Sequence, residues 1–140
     1  MNEFPYDTSY SPAIPVCEVT LLVPSSGLRL TLSAIIDTGA DATIIPIPQL
    51  KKIGARRAYE ARLRSQWGEA RRVYLYVVDM KIGGFSLPGI YVVGDDRGDE
   101  CVVGRNILNR LKMLLDGPQE SVQLLDGLQQ EGFVRAAVQP

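Results

Sequence analysis

An all-β fold, a closed barrel with one short helix near its C-terminal part, is what this sequence predicts, from three observations. Short apolar, β-rich runs recur along the chain, and from Leu28 to Ser33 they alternate with polar residues in a period of two. Clusters of Gly, Pro, Ser and Asp punctuate the chain at short intervals. Convincing helical spacing occurs once, at Ile107, Leu108 and Leu111 within the stretch Asn106 to Lys112. At 140 residues and 46% hydrophobic content the chain suits a single domain with a real core.

The elements follow in order. Residues 1–15 hold three prolines and several aromatics without a period, and are expected to form an irregular arm. A first strand is expected from Val16 to Val23. After the turn cluster Pro24-Ser25-Ser26-Gly27, Leu28, Leu30 and Leu32 alternate with Arg29, Thr31 and Ser33, the mark of a half-buried strand paired as a hairpin. That strand runs through Ile36 into a turn at Asp37-Thr38-Gly39, and Thr43-Ile44-Ile45 is a further short strand closed by Pro46 and Pro48. Val73 to Val78 is apolar throughout and is expected to be covered on both faces. Gly83-Gly84 gives a tight turn, Ile90 to Val93 a strand, and residues 95–100 a charged loop. Cys101-Val102-Val103 is a short strand ending at Gly104, and Met113-Leu114-Leu115 with Val122 to Leu125 forms a last hairpin. The expected domain covers residues 16–125, leaving 126–140 as a C-terminal extension of unassigned structure.

The chain has no histidine, which removes the imidazole base of Ser-His-Asp and Cys-His catalysis and most catalytic zinc ligand sets. Acid-base work is left to carboxylate, Lys or Tyr. Two cysteines, Cys17 and Cys101, are too few for a disulfide framework or a metal knuckle and read as buried strand positions. Neither metal nor cofactor is expected. With no basic leader and no apolar run of membrane-spanning length, a soluble, cytoplasmic protein without a membrane partner is the expectation. A net charge of -1 argues against nucleic acid. The segment Lys51 to Arg72 is the local exception, with eight basic residues against two acidic ones.

Chemistry concentrates in Ile36-Asp37-Thr38-Gly39-Ala40-Asp41, where an apolar strand delivers a carboxylate into a turn of small residues. A carboxylate buried there needs hydrogen-bond donors or a second carboxylate sharing its proton. Thr38 offers a hydroxyl, and Gly39 lets backbone N–H approach without a Cβ in the way. Asp, Thr and Gly are also ordinary turn formers, so this block alone leaves the choice open.

A second block, Val102-Val103-Gly104-Arg105-Asn106-Ile107-Leu108, lies downstream. Together the two blocks resemble the retropepsins, the retroviral-type aspartic proteases, over about residues 16–125. The resemblance implies a retropepsin-like barrel that acts as a homodimer with its active site on the two-fold axis, since the chain has one Asp-Thr-Gly and the chemistry needs two aspartates. It makes Asp37 the catalytic carboxylate, with Thr38 in a hydrogen-bonded grip between the two loops and Gly39 presenting backbone groups. Ala40, Asp41, Trp67 and Gly68 become substrate-side residues, and Asp41 and Arg105 an ion pair. The basic stretch falls where the family carries its flap, with Ser65-Gln66-Trp67-Gly68 as the expected tip, although the family's Gly-rich tip is missing. Viral members weave N- and C-terminal strands into the dimer interface. Extra residues at both ends lead us to expect a free-standing cellular or bacterial member.

The leading expectation is therefore an aspartic endopeptidase that takes peptide or protein substrates. Two alternatives keep other classes open. The same fold can serve as a catalytically silent dimerisation or peptide-binding module. The arginine-rich segment with Trp67 can also be read as a nucleic-acid surface, against the overall charge.

Overall fold

Alternating apolar residues create the long strands, and those strands can bury their apolar faces only by closing on one another. The computed structural model describes residues 2–64 and 68–125. Among them the order is β1 (Glu3–Pro5), β2 (Val16–Val23), β3 (Leu28–Ile36), β4 (Ile44–Pro46), α1 (Ile47–Lys52), β5 (Arg56–Arg64), β6 (Ala70–Ile82), β7 (Phe85–Asp95), β8 (Cys101–Val103), α2 (Arg105–Leu108), β9 (Met113–Asp116) and β10 (Ser121–Leu124). The main sheet runs β2-β3-β8-β4-β7-β6-β5, and β2 also pairs with β6, so six strands close into a barrel and β5 hangs outside it on β6. A second sheet has the order β1-β10-β9.

The core is the inward parity of these strands. Val19, Leu21, Ala34, Ile45, Met80, Ile82, Val92 and Val103 are fully buried, joined by Ile107 from α2 and Val122 from the small sheet. Thr43 is the one polar residue buried with them among the described residues. No helix among those residues is long and apolar enough to cross a membrane.

Four expectations need correction. The segment 1–15 is not wholly irregular: Glu3–Pro5 pairs with β10, and an isolated bridge joins Asp7 to Ile14. The strand at Ile44 and Ile45 does close at Pro46, but where one helix was expected a second, α1, starts between Pro46 and Pro48, because proline fits the first turn of a helix where its missing N–H costs nothing. The stretch Val73 to Val78 is not covered on both faces. Val77 is 37% exposed while Val73, Tyr76 and Val78 are buried, since no layer packs outside β6 there. Finally, the helix expected over Asn106 to Lys112 is only α2, after which Arg110 N–H donates to Ile107 O and Leu111 N–H to Leu108 O. These i to i+3 bonds tighten the chain into turns instead of continuing an α-helix.

Cys17 and Cys101 are free and buried, and both face Ala34 across the register of β2, β3 and β8. Burial pushes each thiol up to about 12 from an ordinary 9.0. The unfolded chain would ionise first, so folding stability is expected to fall as pH rises from about 9 towards 12, by up to about 1.4 kcal/mol per pH unit per thiol. Urea midpoints at pH 8 and pH 10 check this. The loss is expected to be smaller in the double variant Cys17→Ala, Cys101→Ala, whose remaining decline comes from other groups.

Candidate active site

Strands β3 and β8 are parallel neighbours in the register Ala34↔Cys101, Ile35↔Val102 and Ile36↔Val103. Parallel strands end on the same side of a sheet, so two blocks far apart in sequence leave the barrel together. β3 releases Asp37-Thr38-Gly39 and β8 releases Gly104-Arg105-Asn106. Asp37 N–H donates to Val103 O at 3.1 Å, extending the ladder by one step and fixing where the aspartate leaves it.

The loop is built from short bonds. Gly39 N–H donates to Asp37 Oδ1 at 2.8 Å. A Cβ on Gly39 would lie 3.1 Å from that oxygen, so the bare backbone is what allows the approach. Ala40 N–H returns to Asp37 O at 3.2 Å, and Arg105 N–H donates to Ala40 O at 2.8 Å.

Behind the loop lies a polar lattice, buried at Thr43 and Gly104, that the sequence did not single out. The Thr43 hydroxyl donates to Asn106 Oδ1 at 2.7 Å and accepts from Gly104 N–H at 3.1 Å. Asn106 Nδ2 in turn donates to Tyr91 O at 3.1 Å. The start of β4, the β8–α2 junction and β7 are tied together through this hydroxyl and the Asn106 amide, which explains how a polar group survives at the core's edge. The signal was present in the sequence: Thr43 shares the parity of Ile45 in an otherwise apolar strand.

Asp37, Thr38, Gly39 and Asp41 are exposed and Ala40 is half-buried. The high burial expected for Asp37 is therefore not found. Among the described residues its carboxylate has a single donor, Gly39 N–H, and the Thr38 hydroxyl makes no hydrogen bond. Gly68 is exposed in a left-handed conformation, φ +83°, as a turn glycine would be. Trp67, the other tip residue, lies outside the described residues. β5 pairs antiparallel with β6 from Arg56↔Val77 to Arg64↔Ala70, and β5, the outer strand, is largely exposed.

The expected Asp41–Arg105 ion pair does not form. Among the described residues the ion pairs are Arg72 with Glu60 at 2.6 Å and Arg71 with Asp95 at 3.9 Å. Arg105 instead donates from Nη1 to Thr38 O at 2.8 Å, holding the loop by its backbone. The loop's tight turn leaves the Thr38 carbonyl otherwise unpaired, and a guanidinium satisfies it better than a distant carboxylate attracts it. Arg105→Ala is therefore expected to cost about 1–2 kcal/mol in a urea melt, the loss of one charge-assisted bond at an exposed site. Stranding a buried Asp41 would cost about 3–5 kcal/mol. Three arginines of the basic hairpin have partners of their own: Arg71 and Arg72 in these ion pairs, and Arg57 over the Tyr74 ring at 4.3 Å.

No group of residues suited to a metal ion occurs among the described residues. One family model, "gag-polyprotein putative aspartyl protease", matches residues 29–110, a span that includes both the Asp37 loop and the Gly104-Arg105-Asn106 turn. The chain belongs to the retropepsin-like aspartic protease family. Solved structures agree on the fold. A retropepsin-like aspartic protease from Rickettsia conorii superposes with a TM-score of 0.58 at 15% identity, covering 87% of this chain and 89% of that one. The EIAV protease, solved with an inhibitor, superposes at 0.52 with 18% identity, covering 69% and 86%. Among curated proteins none matches the chain. For this retropepsin-like chain, protease chemistry in the general sense is thus the family's.

Proposed function

We propose that this retropepsin-like chain is an aspartic endopeptidase whose active site is completed by a second copy, two Asp37 carboxylates flanking one water. The observation that carries this reading is the exposed Asp37 carboxylate, presented by the paired ends of β3 and β8 in a chain that has a single Asp-Thr-Gly. Two carboxylates brought together share one proton. The charged one takes a proton from water as that water attacks the peptide carbonyl carbon, and the protonated one hydrogen-bonds to the carbonyl oxygen. The tetrahedral intermediate collapses when the departing nitrogen is protonated, with no covalent enzyme intermediate. Substrate would lie extended between the loops and the β5–β6 hairpin, which acts as the flap.

The test is concentration and mixing. Specific activity on a peptide library is expected to fall on dilution below the dimer dissociation constant, and excess Asp37→Asn chains are expected to suppress wild-type activity by forming half-sites. Activity that stays proportional to enzyme at every dilution, indifferent to the mutant chains, would overturn the two-chain site.

A further inference from the structure

One parity of β6 faces the barrel core. Tyr76, Val78, Met80 and Ile82 are buried in it, and Tyr74, two residues earlier, packs against it. The same parity runs on through Arg72 and Ala70, and the register of β5 adds Glu60, Arg62 and Arg64, which stand opposite Tyr74, Arg72 and Ala70, with Arg57 opposite Tyr76. The face that is apolar inside the barrel therefore turns basic along the hairpin, with four arginines against one glutamate among the described residues. The other face does the reverse. There Ala61, Leu63, Val73 and Leu75 are half-buried or buried, and Arg71 pairs with Asp95.

Two of the four arginines are matched, Arg57 by the Tyr74 ring and Arg72 by Glu60. Arg62 and Arg64 are exposed, and among the described residues their side chains make no ion pair or hydrogen bond. Arg62 also stands directly opposite Arg72, and like charges in that position weaken a two-stranded ladder. Protection of an edge strand does not account for the pair, since a charge on β5 alone serves that purpose and Arg72 lies on β6. An anion held on this face relieves the repulsion. Arg62 and Arg64 lie about 7 Å apart along β5, which is also the spacing of alternate side chains on one side of any extended peptide.

We propose that Arg62 and Arg64 make this site selective for acidic substrates, reading two carboxylates separated by one residue, Glu-x-Glu or its Asp equivalents, on the side of the extended peptide that faces the hairpin. Each guanidinium fork takes one carboxylate through paired N–H bonds. The inference deepens the endopeptidase reading above and rests on it, with the β5–β6 hairpin as the flap. A longer polyanion such as a nucleic acid fits less well. Arg71 and Asp95 tie the hairpin to residues 95–100, where four carboxylates accompany one arginine. The ring half-exposed on the basic face, Tyr74, is covered by Arg57, so among the described residues bases find no free ring there on which to stack.

The test uses the full chain. Library cleavage first locates the scissile bond, and kcat/KM is then measured on matched peptides carrying Glu-x-Glu, Gln-x-Gln, Lys-x-Lys or an adjacent Glu-Glu pair beside that bond. Glu-x-Glu is expected to be cleaved about ten-fold better than Gln-x-Gln, the worth of two ion pairs near the surface, with the ratio falling as salt is added. In the double variant Arg62→Gln, Arg64→Gln the ratio is expected to fall to about one, and in Arg62→Glu, Arg64→Glu the preference is expected to pass to Lys-x-Lys. Arg56→Gln, on the same strand but the opposite face, is expected to keep the unaltered ratio. A chain that cleaves all four peptides equally, or one whose acidic preference survives both double variants, overturns the inference and leaves the endopeptidase standing. An adjacent Glu-Glu pair cleaved as well as Glu-x-Glu overturns the two-residue spacing on which it is built. Binding of a labelled oligonucleotide that depends on Arg62 and Arg64, with cleavage indifferent to peptide charge, assigns the face to nucleic acid and overturns it too. A chain that cleaves nothing in the library removes the endopeptidase reading and this inference together.

Discussion

Replacing Asp37 with asparagine is expected to abolish peptide hydrolysis, by about a thousand-fold or more, with the fold intact. An amide has no basic oxygen to take a proton from water, and two amides on the axis leave no proton to share. The structural role of the residue survives the change. Asp37 is exposed, its backbone N–H is held by Val103 O, and its Oδ1 accepts from Gly39 N–H at 2.8 Å, a bond that an asparagine Oδ1 can accept equally. Thermal stability is therefore expected to stay within about 0.5 kcal/mol of the unaltered chain. Cleavage of a peptide library, measured beside a melt and a sedimentation profile, separates the outcomes. Retained turnover would sink the aspartate mechanism, whereas lost turnover with an unfolded chain would say nothing about catalysis and is excluded by the melt.

How much of this was legible in the sequence follows from which residues act locally. The period of two gave β2 and β3 their limits, and the Gly83-Gly84 turn and terminal hairpin were placed by turn chemistry alone. The helix α1 was hidden because proline signals both the end of one element and the start of another, and only the burial of Leu50 and Ile53 decides between them. The pairing of Arg105 was misjudged for a related reason. Sequence can show that an arginine and an aspartate are both present, but a carbonyl has no letter, and Thr38 O took the guanidinium. The lattice through Thr43 and Asn106 depends on β4, β7 and β8 being neighbours, a property of topology that no local pattern encodes.

Gly104 is where that topology is least forgiving, and Gly104→Ala is expected to cost about 3 kcal/mol or more and to remove activity with it. The reason is space and not backbone freedom. Its φ of -100° and ψ of -172° are extended values open to any residue. A Cβ there, however, would lie 2.2 Å from Ala42 O, 2.6 Å from Ala42 C and 2.9 Å from Ala40 O, all backbone atoms of the loop after Asp37 with no side-chain rotamer to yield. Relief requires the loop after Asp37 to move away from the end of β8. That motion breaks the bond from Arg105 N–H to Ala40 O at 2.8 Å and the one from Gly104 N–H to the Thr43 hydroxyl at 3.1 Å, which leaves Thr43 partly unsatisfied inside the core. Gly117→Ala is the matched control, because a Cβ at Gly117 meets nothing within 4 Å, and it is expected to change stability by no more than about 0.5 kcal/mol. Urea denaturation of the two variants side by side gives the comparison. Equal midpoints would mean that the loop has room to retreat at little cost, and the close packing of the two motif blocks would lose its place in the account of the site.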